Sequence, residues 1–264
     1  MGFTVPGAPP QSCSPSAGSA ARRNRPQGDS PAVNNAIAVL GGSFNPLHVG
    51  HLRIALEARE ALEISRVALI PCASPPHKSG RGLLPFDLRR LMLERSIAGL
   101  PGFAVDCLEA ERLGPSYTVD TLAELRRRMP GTSLLFILGG NDFLTLEHWR
   151  RYEELPGLAD FVVLPRDGAQ AEEFRRKAQT LWPNLRRCEP PAGAREAWEL
   201  PLGGRLLYVP QPRLDISSTL VRERFLAGRT IDFLVPAPVS EILEENRDAV
   251  RALWGAGDSG REFE

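Results

Sequence analysis

The run Gly41-Gly42-Ser43-Phe44-Asn45-Pro46-Leu47-His48-Val49-Gly50-His51 gathers glycines, a hydroxyl and two imidazoles in a short span. The apolar segment Ile37 to Leu40 precedes it and reads as a buried parallel strand. Beyond it, Leu52, Ala55, Leu56, Ala58 and Leu62 recur on one side of a helical pattern running from His51 to Leu62. A strand that ends in a glycine turn and enters a helix points free backbone N–H groups and the positive end of the helix dipole at one place. His48 and His51, spaced i and i+3, share a face and add donors there. The glycines let a bulky anion approach the main chain. The chemistry on offer is phosphate binding; the plainer alternative is a glycine turn with two capping or surface histidines.

A second anion site is written in Asp215-Ile216-Ser217-Ser218-Thr219-Leu220-Val221-Arg222. Ser217, Ser218 and Thr219 stand where a helix begins, and Arg222 follows one turn on with a fork suited to phosphate. Taken alone, this is also what an ordinary serine cap with a surface arginine looks like. Lys78, after two stiff prolines in Pro75-Pro76-His77-Lys78, offers a point charge on a loop, or simply a solvated lysine. Ser116-Tyr117-Thr118 opens another helix, and Gly140-Asn141-Asp142 with Trp149 supplies a carboxylate and a flat indole.

The elements that must position these groups alternate. Arg66 to Pro71, Phe103 to Asp106, Ser133 to Leu138, Phe161 to Leu164 and Leu206 to Val209 read as further strands. Helical patterns cover Pro85 to Ile97, Thr118 to Met129, Leu146 to Leu155, Glu172 to Leu181, Ile216 to Leu226, Val239 to Glu245 and Asp248 to Trp254. Strands that are continuous apolar runs, alternating with helices, indicate a parallel sheet covered on both faces. Ligands of such sheets bind beyond the carboxyl ends of the strands, where every motif above lies. The expected fold is α/β: a Rossmann-like, doubly wound parallel sheet with a small C-terminal helical subdomain at about 216–254. Pro190 to Gly204 reads as an irregular surface loop, and residues from Gly255 as a frayed tail.

Composition narrows the classes. Lysine plus arginine equals aspartate plus glutamate, 32 against 32, so no basic stripe for general nucleic-acid binding is expected. No apolar run is long enough to span a membrane. Cys13, Cys72, Cys107 and Cys188 have no metal-type spacing, the usage of a reducing compartment such as the cytoplasm, with Cys72 and Cys107 read as structural thiols. Residues 1–35 are rich in Pro, Ser, Gly, Ala and Arg and read as a disordered extension or as coding upstream of the true start. The remainder, 36–254, reads as one domain.

The first motif resembles the H-x-G-H signature of the nucleotidyltransferase superfamily. In its full length, G-G-[ST]-F-[DN]-P-x-H-x-G-H, it is similar to the nicotinate-nucleotide adenylyltransferase family. The Ile216 to Arg222 segment resembles that family's I-S-[SA]-T-x-[IV]-R signature, and P-P-H-K, S-Y-T-x-x-T-L and G-x-D…W have counterparts there too. The resemblance implies transfer of AMP from ATP to nicotinate mononucleotide, giving deamido-NAD and pyrophosphate, with Mg²⁺ delivered on ATP and no metal held by protein side chains. It implies catalytic roles for His48, His51 and Arg222. It implies ATP contacts from Gly42, Ser43, Phe44, His48, His51, Ile216, Ser217, Ser218, Thr219 and Arg222. Mononucleotide contacts fall to Asn45, Lys78, Tyr117, Thr118, Asp142, Trp149 and Arg150. Related acceptors, nicotinamide mononucleotide or phosphopantetheine, stay open, as does a nucleotide-binding regulatory protein. A class I aminoacyl-tRNA synthetase fragment would need a K-M-S-K-S-like loop, and a dehydrogenase a G-x-G-x-x-G after the first strand; neither is present.

Overall fold

The computed structural model describes residues 2–4, 35–76, 82–165 and 168–258. In chain order its elements are β1 (Ala36–Gly42), α1 (Val49–Ala61), β2 (Arg66–Pro71), α2 (Phe86–Ile97), β3 (Phe103–Val105), α3 (Thr118–Arg128), β4 (Ser133–Gly139) and α4 (Gly140–Leu144). They continue with β5 (Asp160–Leu164), α5 (Gly168–Leu181), β6 (Arg186–Cys188), β7 (Glu196–Glu199), β8 (Arg205–Tyr208), α6 (Ser218–Leu226), α7 (Ala237–Glu245) and α8 (Arg247–Asp258).

Among the described residues the strands form one sheet in the order β3-β2-β1-β4-β5-β8-β7-β6. From β3 to β8 all pairs are parallel. The strands read as unbroken apolar runs because each face has its own helical cover. In β4, Leu135 and Ile137 enter a core shared with α1, α2, α6, α7 and α8. Leu134, Phe136 and Leu138, on the opposite pleat, enter a core shared with α3, α4 and α5. The C-terminal helices therefore complete one face of the sheet. The chain builds outward from β1 through β2 to β3, then returns to place β4 on the other side of β1, which makes the crevice between β1 and β4 the switch point.

The expected parallel sheet is extended at one edge by antiparallel strands. β8 pairs antiparallel with β7, and β7 with β6, so the stretch read as an irregular loop carries a strand. Three or four residues are too few to show a period, and the edge of β8 supplies the pairing partner. Gly193, at φ +83°, makes the turn, where a Cβ would fall 1.8 Å from the Ala61 carbonyl oxygen.

The helix expected from Leu146 to Leu155 is two 3₁₀ turns, Leu146–His148 and Tyr152–Gly157. Arg151 between them has φ 53°, and Pro156 lies in the second turn. α8 runs on past Gly255, anchored by Trp254, whose ring lies edge-on to Phe225 at 5.5 Å. Within the extension, Phe3 packs against the core shared with α6–α8, and the Thr4 N–H donates to Asn246 Oδ1 at 2.7 Å. Among the described residues no helix is long and apolar enough to cross a membrane.

Candidate active site

A cleft of about 550 Å³ opens at the switch point, walled by the ends of β1 and β4, the loop after β2 and the starts of α1, α3 and α6. His48 is the N-cap of α1, with extended φ/ψ, and His51 is its third residue. The His48 N–H donates to His51 Nδ1 at 3.2 Å, so the imidazole satisfies a backbone group that the helix itself cannot. An accepting Nδ1 carries no proton, so the ring's N–H is on Nε2. The two imidazoles stack, 3.6 Å between centroids and 28° between planes. Phe44, fully buried, braces His51 edge-on at 5.0 Å. Gly50 makes room for this pair: a Cβ there would lie 3.0 Å from His48 Nδ1.

The second motif docks on the first. Ser217 caps α6 by accepting from the Leu220 N–H at 3.1 Å. The Ser218 hydroxyl donates to the Pro46 carbonyl at 2.9 Å, and Arg222 Nη1 donates to the Asn45 carbonyl at 2.9 Å. Two helix N-termini thus converge on one cleft, with Ser43, His48, His51, Ile216, Ser217 and Ser218 among its lining residues.

The opposite end is aromatic and polar. Tyr117 and Thr118 open α3, and Arg150 sits over the Tyr117 ring, 4.6 Å to its centroid. Trp149 packs edge-on to Phe136 at 6.1 Å. Asp142 lies in the first turn of α4, where the helix dipole favours a carboxylate; a Cβ on Gly139 would come within 3.2 Å of its Oδ2. Tyr117, Thr118, Asp142, Trp149 and Arg150 all line the cleft.

One cleft thus sets two helix N-termini and a histidine pair opposite an indole and a tyrosine, and sequence comparison identifies the lineage. The cytidylyltransferase-like family model matches residues 39–224. A probable nicotinate-nucleotide adenylyltransferase of Geobacter metallireducens is 40% identical over 210 residues, covering 79% of this chain and 95% of the relative. A second, from Trichlorobacter lovleyi, is 42% identical over 79% of this chain and 96% of its own length. This chain belongs to the nicotinate-nucleotide adenylyltransferase family. The family is one of nucleotidyltransferase enzymes. The fold agrees: a Plasmodium falciparum nicotinic acid mononucleotide adenylyltransferase, solved in complex with NaAD, superposes with a TM-score of 0.61 at 18% identity, covering 83% of this chain and 98% of that one.

Two residues assigned to ligands through the family motif lie behind the wall. Phe44 is wholly buried beneath the histidines. Asn45 is 4% exposed; its side chain donates to the Gly82 carbonyl at 2.7 Å and accepts from the Leu84 N–H at 3.0 Å. Both are held within the turn by burial and, for Asn45, by these two hydrogen bonds. Arg222 and Thr219 also lie outside the cleft lining, bonded to each other at 3.0 Å. Lys78 lies outside the described residues.

Other cleft residues carried no motif. Gln211 follows β8 and donates to the Leu164 carbonyl at 2.7 Å, a position that the strand-end rule alone would have flagged. Cys72, read as structural, lines the cleft; burial and the nearby Glu109 carboxylate push its thiol up to about 11, so it stays protonated. Arg89, 1% exposed, donates through Nη1 to the Ser43 and Cys72 carbonyls, both at 2.8 Å, and through Nε to the Leu84 carbonyl at 2.9 Å. It does not line the cleft but ties the ends of β1 and β2 together behind its wall, and burial lowers its pKa. Sequence periodicity showed Leu88, Leu91 and Met92 beside it but could not show that a charged residue faces inward.

Proposed function

We propose that the protein transfers the adenylyl group of ATP to the 5′-phosphate of nicotinate mononucleotide, giving deamido-NAD and pyrophosphate. One observation carries the reading: a single cleft joins two helix N-termini and a histidine pair at one end to an indole and the α3 N-terminus at the other. A phosphate oxygen of the mononucleotide attacks the α-phosphorus of ATP. The bond to the bridging oxygen breaks, and pyrophosphate leaves with its electron pair. The nucleophile is already ionised at neutral pH, so positioning and electrostatics, rather than a general base, supply the rate.

His51, its Nδ1 engaged by the His48 backbone, offsets charge growing on the α-phosphate through its imidazole. His48, Ser43, Gly42 and the Ile216–Ser217–Ser218 start of α6 receive the triphosphate. Arg222 holds the two anion motifs together and lends a fixed cation, Thr219 orienting its guanidinium. Phe44 and Asn45 act by bracing the turn. Trp149 stacks on the pyridine, Asp142 meets a ribose hydroxyl, and the backbone at Thr118 and Arg150 receives the acid group; Lys78 approaches the phosphates. Mg²⁺ enters as MgATP, held by phosphate oxygens and water, and is written as part of the substrate. Cysteine usage without paired or metal-type spacing supports a reducing cytoplasmic setting.

The test is pyrophosphate release with MgATP and each acceptor in turn: nicotinate mononucleotide, nicotinamide mononucleotide, phosphopantetheine. Release with the first above the others is the expected result. Release only with another acceptor, or tight ATP binding without turnover, overturns the reading.

A further inference from the structure

The walls at the mononucleotide end of the cleft are joined by a residue that no motif marks. Glu109 sits in the 3₁₀ turn Leu108–Glu111 after β3 and is 7% exposed. Burying a carboxylate is costly unless its oxygens are hydrogen-bonded. Here both are used. Oε1 accepts from the Thr121 hydroxyl in α3 at 2.7 Å, and Oε2 accepts from the Ala73 N–H in the loop after β2 at 3.3 Å. Arg112 completes the group by donating to Thr121 Oγ1 at 2.8 Å.

The segment leading into α3 has little else to locate it. Leu113 is fully exposed, Gly114 and Pro115 are exposed, and Gly114 has φ +93°. Val119 and Leu122 pack the body of α3 on the sheet, but no apolar contact of residues 113–115 fixes the approach to it. Polar bonds to the β2 loop do: the Ser116 N–H donates to the Ser74 carbonyl at 2.8 Å, the Ser74 N–H donates to Ser116 Oγ at 3.2 Å, and Glu109 spans the same gap. What they locate is the first turn of α3, with Tyr117 and Thr118 on the cleft.

We infer that Glu109 is a positioning residue for the acceptor half of the cleft, clamping the β2 loop to the α3 N-terminus through Ala73 and Thr121 so that the backbone at Tyr117 and Thr118 is held ready for the mononucleotide. The inference rests on the adenylyltransferase reading above. The ATP half has its own tie, Arg222 to the Asn45 carbonyl, and does not depend on this clamp.

Steady-state kinetics of the full chain with MgATP and nicotinate mononucleotide test it, using Glu109→Gln and Thr121→Val. Glutamine keeps only one acceptor oxygen. Valine at position 121 is near-isosteric and outside the cleft lining, so any effect on substrate is transmitted, and it serves alone if Glu109→Gln does not fold. The expected result is a mononucleotide KM raised about ten-fold in Thr121→Val, with the KM for ATP within about two-fold of wild type. An unchanged mononucleotide KM, or equal rises in both constants, overturns the inference while wild-type turnover leaves the reading intact. A wild-type protein that releases no pyrophosphate with nicotinate mononucleotide overturns both.

Discussion

Arg222 Nη1 donates to the carbonyl oxygen of Asn45 at 2.9 Å, across 177 positions of sequence. Through that bond the α6 N-terminus is tied to the glycine–histidine turn at one cleft. Arg222→Ala removes the tie and a cation at the triphosphate end. The KM for ATP should rise about ten-fold or more, with the mononucleotide KM changing far less. Equal rises in both constants would place Arg222 elsewhere in the reaction.

His51→Ala removes the proposed transition-state donor. We expect kcat to fall by roughly two to three orders of magnitude. The ring also caps the His48 N–H, so a stability loss of about 1 kcal/mol should accompany it. Near-normal turnover in a folded variant would refute the assignment.

Gly50→Ala tests the room left for His48. Glycine to alanine within a helix ordinarily stabilises by about 1 kcal/mol. Here the new methyl lies 3.0 Å from the His48 ring. Activity should drop about ten-fold or more while thermal stability holds or rises; a variant that is both stable and fully active would show that the ring can shift at no cost.

Trp149→Ala and Arg150→Ala separate stacking from charge. If the acid group meets main-chain donors near Thr118, the indole matters more than the guanidinium, which lies over Tyr117. Trp149→Ala should raise the mononucleotide KM more than Arg150→Ala does. For the wild type, kcat/KM should favour the acid over the amide by roughly ten-fold to a few thousand-fold, from the helix dipole and an otherwise unpaired donor. Parity between the two substrates would remove the backbone site.

A chain begun at Asn35 should keep its activity and lose a little stability, about 1 kcal/mol, because the Thr4–Asn246 bond and the Phe3 contact go with the extension. Calorimetry beside kinetics checks this. Lost activity at an unchanged melting temperature would give the extension a different role.

The sequence by itself determined most of the fold and the nature of the chemistry. Glycines, histidines and serines at fixed spacing between a strand and a helix act through local backbone geometry, so they are legible without a third dimension. β2, from Arg66 to Pro71, and the start of α3 at Thr118 lie where their patterns place them, because long apolar runs and caps are local signals. Tertiary structure alone decided the rest. β6 and β7 exist because β8 offers an edge. Phe44 and Asn45 sit behind the cleft wall because the turn folds back on the core. Neither Arg89, behind the cleft wall, nor Glu109, in its lining, was legible in the sequence, since a charged side chain is buried only when distant carbonyls, hydroxyls and N–H groups converge on it, and that convergence belongs to the folded chain.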